Sequence, residues 1–401
     1  MALEVAAVGL VLWLKRFDGL DLEVYLGGAK ALVESGTPYD AWVPTTHTIS
    51  LPFTYTPFAA AVFLPGTVLP FAVTMRLISI LSIVGTGVVA YLFAAGLNGA
   101  LTDRANRRGH VTAGLVAIAA QLAGALLEPV RSTLGFGQIN ALLMVMVVLD
   151  VLLPGRARTK GLLIGLAAAI KLTPAVFILY FLFRKDYRSA ARVAAGFVAA
   201  GAVMWLAAPV ASAKYWTELV FDAGRIGGSD YVGNQSIRGV VARLGLGGAE
   251  DVVWLLAALA VIALTVFVLV RVRQPVLALT ACAIGGLLVS PVSWTHHWTW
   301  CVPILVAAGY LAAISWRVDR LVAWWSLGGA VVGVALFIIG PMWFAPRPAG
   351  SVGWWLATES YVLYGLALLA LGGVAARRIA RLFEPRVPLL VKASEGHLDS
   401  V

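Results

Sequence analysis

Apolar runs follow one another along almost the whole chain, and they limit its fold more than any other feature. Twelve can be read: a short one at Ala2–Leu14, then Pro57–Val68, Phe71–Leu97, Val111–Leu127, Ala141–Leu153, Gly161–Phe183, Val193–Ala208, Val252–Val270, Val276–Val289, Trp298–Ile314, Leu321–Ile339 and Trp354–Ala375. About 20 apolar residues cross a bilayer as a helix, because a helix satisfies its own backbone polar groups in hydrocarbon. Only 12% of the residues are charged, against about 25% in soluble domains. The expected fold class is therefore all-α, a polytopic integral membrane protein of about 12 transmembrane helices. Several runs fall short of spanning length, so broken or re-entrant elements are expected.

The net charge of +10 does not imply nucleic acid, because the positives collect in short loops and at the C-terminal end, where anionic lipids attract them. Arg184–Arg188, Arg271–Arg273, Arg317–Arg320 and Arg377–Arg381 are read as cytoplasmic. Four segments, 15–56, 209–250, 290–297 and 341–353, are read as outward loops. Arg104–Arg108 and Arg156–Lys160 also look cytoplasmic. Simple alternation of full spans cannot place them there together with an outward 15–56 loop. A broken or re-entrant element in Pro57–Leu97 and another at Lys171-Leu-Thr-Pro174 would resolve the conflict. Residues 1–385 read as one transmembrane domain, and 386–401 as a flexible cytoplasmic tail. Ala2–Leu14 is short for a span and lacks a small-residue cleavage site, which argues against a signal peptide and for a truncated first helix or an upstream start.

Within the first outward loop, Leu22, Leu26, Ala29 and Val33 recur at helical spacing, so Leu20–Glu34 is expected as a short amphipathic helix lying on the bilayer, ended by the turn at Gly36-Thr-Pro38. Asp18, Asp21 and Glu23 follow the first run. A carboxylate partly desolvated beside lipid can act as a general base; Asp21 can equally cap the helix, and the two roles are compatible.

Two adjacent histidines, His296 and His297, sit among tryptophans where one apolar run stops and the next begins. Imidazoles at that depth can bond a phosphate, and an interfacial anchor is the equally weighted alternative. Lys171 lies in mid-run beside Pro174. A buried ammonium needs a cavity or an anion, so a phosphate-binding lysine is the sharper reading and snorkelling the weaker one. Glu128-Pro-Val-Arg131 and Gly135–Asn140 form a polar junction between two apolar runs, in which Gln138 and Asn140 can bind sugar hydroxyls or cap a loop. Asn234-Gln-Ser236 is formally a glycosylation triplet, or with Arg238 a polar binding patch. Cys282 and Cys301 lie in apolar runs without metal-type spacing and read as packing residues. No P-loop, dinucleotide fingerprint, Gly-x-Ser-x-Gly, His-Glu-x-x-His or zinc spacing occurs, which argues against an ATP-driven pump, a nucleotide-sugar enzyme of soluble type and a zinc protease.

Six stretches in order, Asp21-Leu-Glu-Val-Tyr25, Pro52-Phe-Thr-Tyr-Thr-Pro57, Gly137-Gln-Ile-Asn140, Ala169-Ile-Lys-Leu-Thr-Pro174, Gly233-Asn-Gln-Ser236 and Ser290-Pro-Val-Ser-Trp-Thr-His-His297, together resemble the actinobacterial polyprenyl-phosphate-mannose-dependent α-1,2-mannosyltransferases, glycosyltransferase family 87 of the GT-C superfold. Thr56 departs from the second proline frequent in that family. The resemblance implies an inverting transfer of mannose from polyprenyl-phosphate-mannose to a mannosylated glycolipid, a phosphatidylinositol mannoside, at the outer face of the plasma membrane. Asp21 is the matching catalytic base. His296, His297 and Lys171 are the candidates to stabilise the leaving phosphate. Tyr55, Arg131, Gln138, Asn140, Asn234 and Arg238 complete the expected substrate-binding set. Membrane lipids, donor and acceptor are the expected partners. No metal or cofactor is expected, because no carboxylate cluster resembles a magnesium site. The alternatives are α-1,2 branching of lipomannan or lipoarabinomannan, and, in another class, a transporter or flippase for a lipid-linked sugar. Against the flippase stands the lack of two similar halves.

Overall fold

A computed structural model describes residues 18–345 and 350–383. The short first run and the C-terminal tail 386–401 lie outside the described residues. The protein is almost entirely helical; the exception is a hairpin of three-residue strands, Trp42–Pro44 and Ser50–Pro52, paired antiparallel with Val43 opposite Leu51.

Among the described residues five helices are long and apolar enough to cross a membrane: Phe71–Leu97, Tyr187–Ala207, Gly247–Arg271, Thr295–Ser315 and Arg320–Ile339. Two bent pairs raise the number to seven: Arg107–Gly124 with Glu128–Phe136, turned by 72°, and Val352–Thr358 with Ser360–Val374, turned by 75°. Pro57–Val68, Asn140–Leu152, Thr173–Leu182 and Pro275–Val289 are shorter apolar helices. Among the described residues, the apolar runs after the first thus do not all become full-length spans. Hydropathy records that a segment avoids water, and a half-length helix buried among others avoids it equally well.

Both expected breaks occur. Pro57–Phe63 passes into a tight turn of helix at Leu64–Val68, and Pro70 opens the Phe71–Leu97 helix. The apolar run Gly161–Phe183 is divided: Leu162–Ile170 ends at Lys171, whose backbone is extended, and Pro174 opens the next short helical segment. Lys160, Arg156 and Arg104 line one cavity with Arg188 and Arg192, and Arg184 donates to the Arg273 carbonyl over 2.8 Å. The two flanks of the run therefore return to the same end of the bundle, with Lys171 at the tip between them. That geometry lets all the basic loops share one end and removes the conflict in alternation.

The first-loop helix spans Leu20–Ser35 and ends at Gly36, whose φ of 77° suits the left-handed cap. Leu22, Leu26 and Ala29 of the expected apolar face are buried, while Val33 is 69% exposed. The face is covered by protein: Gly28 is close-packed on Phe53, and Tyr25 stacks on Phe63 at 4.2 Å. The helix is a wall of the fold along most of its length, with only its C-terminal turn free to meet a surface.

Candidate active site

Asp21 reaches its position through two glycines. Gly19 (φ 71°) starts the helix and donates its N–H to the Gly135 carbonyl over 2.9 Å. Gly137 (φ 68°) ends the Glu128–Phe136 helix. A Cβ on Gly19 would meet the Phe71 ring at 2.5 Å, and one on Gly137 would meet Leu22 at 2.8 Å. Only glycine permits both the backbone angle and the approach. The cap is Gly19, which has no side chain to offer the first-turn N–H groups; the Leu20 N–H reaches the Asp18 carboxylate over 3.4 Å. The expectation that Asp21 caps the helix is therefore corrected: it lies one residue inside, with its carboxylate turned to the cavity.

The neighbouring acids point elsewhere. Glu23 accepts the Thr46 N–H over 3.0 Å and pins the hairpin. Asp18 lies 3.7 Å from the His47 ring. Asp21 instead accepts from the Gln138 amide over 2.6 Å, and the Gln138 carbonyl accepts the Tyr25 hydroxyl over 2.6 Å. The Tyr25 hydroxyl lies 3.1 Å from that of Tyr55. Because Tyr25 takes the amide oxygen, the NH₂ of Gln138 must face the carboxylate. Burial pushes the Asp21 carboxyl up to about 6, against the pull of the Gln138 bond and of the Lys171 charge, with Asp18 adding to the rise. Such a carboxylate is ionised at neutral pH yet basic enough to take a proton.

A cavity of about 620 Å³ opens over this group. Asp21 and Tyr55 line it from the segment 18–56, Asp222 and Arg225 from the segment 209–250, and Trp294 and His296 from the histidine segment, together with Gln138. Lys171 donates to the Asn140 side-chain oxygen over 2.8 Å, lies 3.0 Å from His297 Nε2 and sits 5.6 Å from the centre of the Tyr55 ring. The His296 carbonyl is held by Thr133 Oγ1 at 2.9 Å and Asn140 Nδ2 at 3.1 Å. Its ring packs edge-on against Phe136 and His297, and its buried Nε2 has no partner among the described residues. A buried imidazole nitrogen beside a polar cavity is satisfied by whatever fills the cavity. The two histidines divide: His296 borders the Asp21 cavity, and His297 borders a second recess lined by Asn140, Phe177 and Trp300.

Asp21, Tyr55, Gln138, Asn140, Lys171, His296 and His297 are thus brought together. Three expected residues are not. Asn234 is fully buried, and its carboxamide bonds Ser293 N, Pro291 O and Ser229 O. It ties the second loop to the histidine segment, and no free side chain remains for a ligand or a glycan. Arg238 pairs with Asp251 and packs over Trp254. Arg131 donates to the Leu126 carbonyl. None of the three lines the cavity, and each is held by a local partner.

Arg225 and Trp294 were not singled out individually from the sequence as site residues, although both lie in segments read as outward. Arg225 donates to the Phe53 carbonyl over 2.8 Å and lies over Tyr39. A cation among the positives of a long loop carries no sequence signal of its own. Glu128 was also underread: it is buried and accepts from Ser132, Thr295, Trp343 and Tyr361, bracing the histidine segment from behind.

Gln138→Leu removes the donor that keeps Asp21 acidic. The acid limb of a pH profile of kcat/KM is expected to move up from about 6 by roughly one unit, with activity lost first at the low-pH side. An unmoved limb would show that Gln138 does not tune Asp21.

The family model of glycosyltransferase family 87 matches residues 53–291, more than half of the chain. The chain is 37% identical over 378 residues to the polyprenol-phosphate-mannose-dependent α-(1-2)-phosphatidylinositol mannoside mannosyltransferase of Mycolicibacterium smegmatis, covering 88% of this chain and 83% of that one. It is 35% identical over 388 residues to the Mycobacterium tuberculosis enzyme of the same name, covering 92% and 88%. To the M. smegmatis enzyme named for phosphatidylinositol pentamannoside it is 37% identical over 373 residues, covering 90% and 85%. No solved structure matches. The matched span holds Tyr55 and Gln138, which line the Asp21 cavity, and the bonded pair Asn140 and Lys171, and on the strength of that span and of these relatives the chain belongs to glycosyltransferase family 87.

Proposed function

We propose that the protein is an inverting α-1,2-mannosyltransferase that moves mannose from polyprenyl-phosphate-mannose to a phosphatidylinositol mannoside. The observation that carries this reading is Asp21 hydrogen-bonded to Gln138 on a cavity shared with His296, beside the Lys171–His297 pair. Asp21 takes the proton of the acceptor hydroxyl as that oxygen attacks the anomeric carbon from the face opposite the phosphate. The bond from the anomeric carbon to the phosphate oxygen breaks, and its electron pair stays on the departing polyprenyl phosphate. One bond forms as one breaks, so the configuration inverts and no sugar–enzyme intermediate is needed. The leaving group gains a negative charge, which in this reading Lys171 and the adjacent His297 meet. The reaction so written calls on no resident metal or cofactor.

The recess below His297 has apolar walls, including Met144 and Leu287, which suits the isoprenoid carbons next to the phosphate. Arg225 and Trp294 offer the acceptor a cation and an aromatic face. We place the cavity on the extracytoplasmic side of the plasma membrane, because the basic loops gather at the opposite end of the bundle.

His296→Ala and His297→Ala are expected to separate the two substrates. Loss of His296 raises the KM for acceptor or lowers kcat, and loss of His297 raises the KM for donor; steady-state kinetics unchanged in both would return the pair to a purely anchoring role. Identity is 37% both to the relative named for phosphatidylinositol mannoside and to one named for the pentamannoside. Mass spectrometry of lipids made from acceptors of defined mannose number tests the acceptor class, and transfer to none of them would overturn it.

A further inference from the structure

The largest cavity described lies at the other end of the molecule, with a volume of about 1010 Å³. Its relation to the Asp21 cavity follows from one helix. Phe71, at the start of the Phe71–Leu97 helix, packs against Gly19, and Gly96, next to its end, lines the second cavity. A helix of 27 residues is about 40 Å long, so the two cavities open towards opposite faces of a bilayer whose hydrocarbon is about 30 Å thick.

Five cations surround this cavity: Arg104, Arg156, Lys160, Arg188 and Arg192. They come from two loops and the first turns of the Tyr187–Ala207 helix. Each of its two acids spends one oxygen on a backbone N–H. Asp103 accepts the Ala105 N–H, and Asp186 caps the helix by accepting from Ser189 N. Asp150, next to Arg156, spends one oxygen on the N–H groups of Gly161 and Ile164. Among the described residues the cations have little protein to bind: Arg192 makes a single hydrogen bond, to the Ala157 carbonyl, and the buried Nε of Arg156 has no partner. Among the described residues none of the five forms a salt bridge. One wall is apolar, made by Leu101, Val151, Leu152 and Val276.

A phosphate alone would leave most of such a volume empty, whereas a headgroup with the first carbons of its chains meets both walls. We propose that this cavity is a binding site for the phosphate headgroup of an anionic phospholipid on the face away from Asp21. Convergent guanidinium groups bind phosphate by paired hydrogen bonds, and the apolar wall takes the glycerol and acyl carbons. The proposal does not rest on the glycosyl-transfer reading.

The test uses the purified full chain in detergent, with native mass spectrometry after addition of short-chain phosphatidylglycerol, of phosphatidylcholine, or of inorganic phosphate. Wild type is expected to retain one phosphatidylglycerol at concentrations where phosphatidylcholine is lost. The Arg156→Gln, Lys160→Gln double variant should lose at least ten-fold in apparent affinity. Arg104→Gln with Arg188→Gln, at exposed positions where folding is safe, should lose affinity in the same direction. The control is Arg271→Gln with Arg320→Gln, which removes the same charge from basic loops outside the cavity and should leave retention unchanged. Equal loss in the control would reduce the effect to general surface charge and overturn the site. Inorganic phosphate displacing the lipid at equal concentration would reassign the cavity to a free anion and overturn the lipid.

Discussion

Asp21→Asn is expected to abolish transfer, by roughly 10³-fold or more, without lowering the melting temperature. The amide keeps the shape and can still accept from Gln138, but it cannot take a proton. Burial raises the Asp21 carboxyl from 3.8 to about 6, so the folded state prefers the protonated form. The cost of ionisation is absent below about 3.8, grows up to about 6 and is complete above it. A shift of that size corresponds to a penalty of order 1–3 kcal/mol at neutral pH. Asparagine removes it. At pH 7.5 the variant should therefore melt at or above the wild-type temperature while being inactive. Near-normal turnover would falsify the assignment of Asp21 as base. Inactivity with a melting temperature several degrees lower would instead assign Asp21 a structural role.

Lys171→Met is expected to have the second largest effect. Methionine fills a similar volume and is cheap to place in an apolar run, where a lysine costs about 2.5–3.5 kcal/mol. The reaction, however, turns a phosphodiester-like donor into a phosphate with one more negative charge. Loss of the ammonium should lower kcat by about 10²–10³-fold, with a smaller rise in the KM for the donor. A second readout follows from the Lys171 charge, which holds the Asp21 carboxyl down. Its removal lets that carboxyl rise, so the acid limb of the pH profile should shift upward in Lys171→Met. A lysine that only braced Asn140 and His297 would change neither the kcat–KM split nor the limb. Lys171→Arg, which keeps the charge, should recover part of kcat and return the limb towards about 6.

Several features were legible before any coordinates because they are written locally. Break points follow from proline and from a charge in mid-run, so both Pro57–Leu97 and Lys171–Pro174 were expected to be interrupted and are. The first-loop helix and its stop at Gly36 follow from spacing and one glycine. The roles of Asp21 and of the histidine pair were open in the residues themselves, as base or cap and as phosphate ligand or anchor. The family resemblance narrowed them, and the geometry brings these groups to neighbouring recesses without establishing the chemistry.

Partners, by contrast, could not be read. Asn234 and Asn140 are the same residue type at the edges of polar junctions. One is enclosed by Ser293, Pro291 and Ser229, while the other faces Lys171 and His296. Arg238 and Arg225 sit in the same loop, yet one is neutralised by Asp251 and the other lines the cavity.

The sequence by itself determined that this is a membrane protein, which loops carry the positive charge, and which few polar residues interrupt the apolar runs, because transfer from water to lipid acts on each segment separately. Only the tertiary structure decided that Gly161–Phe183 turns back with Lys171 at its tip, that Gln138 joins Asp21 to Tyr25 across more than a hundred residues of chain, and that Asn234 is a knot in the scaffold. A side chain's direction and its hydrogen-bond partner are set by how distant helices pack, and that information is absent from any single stretch of sequence.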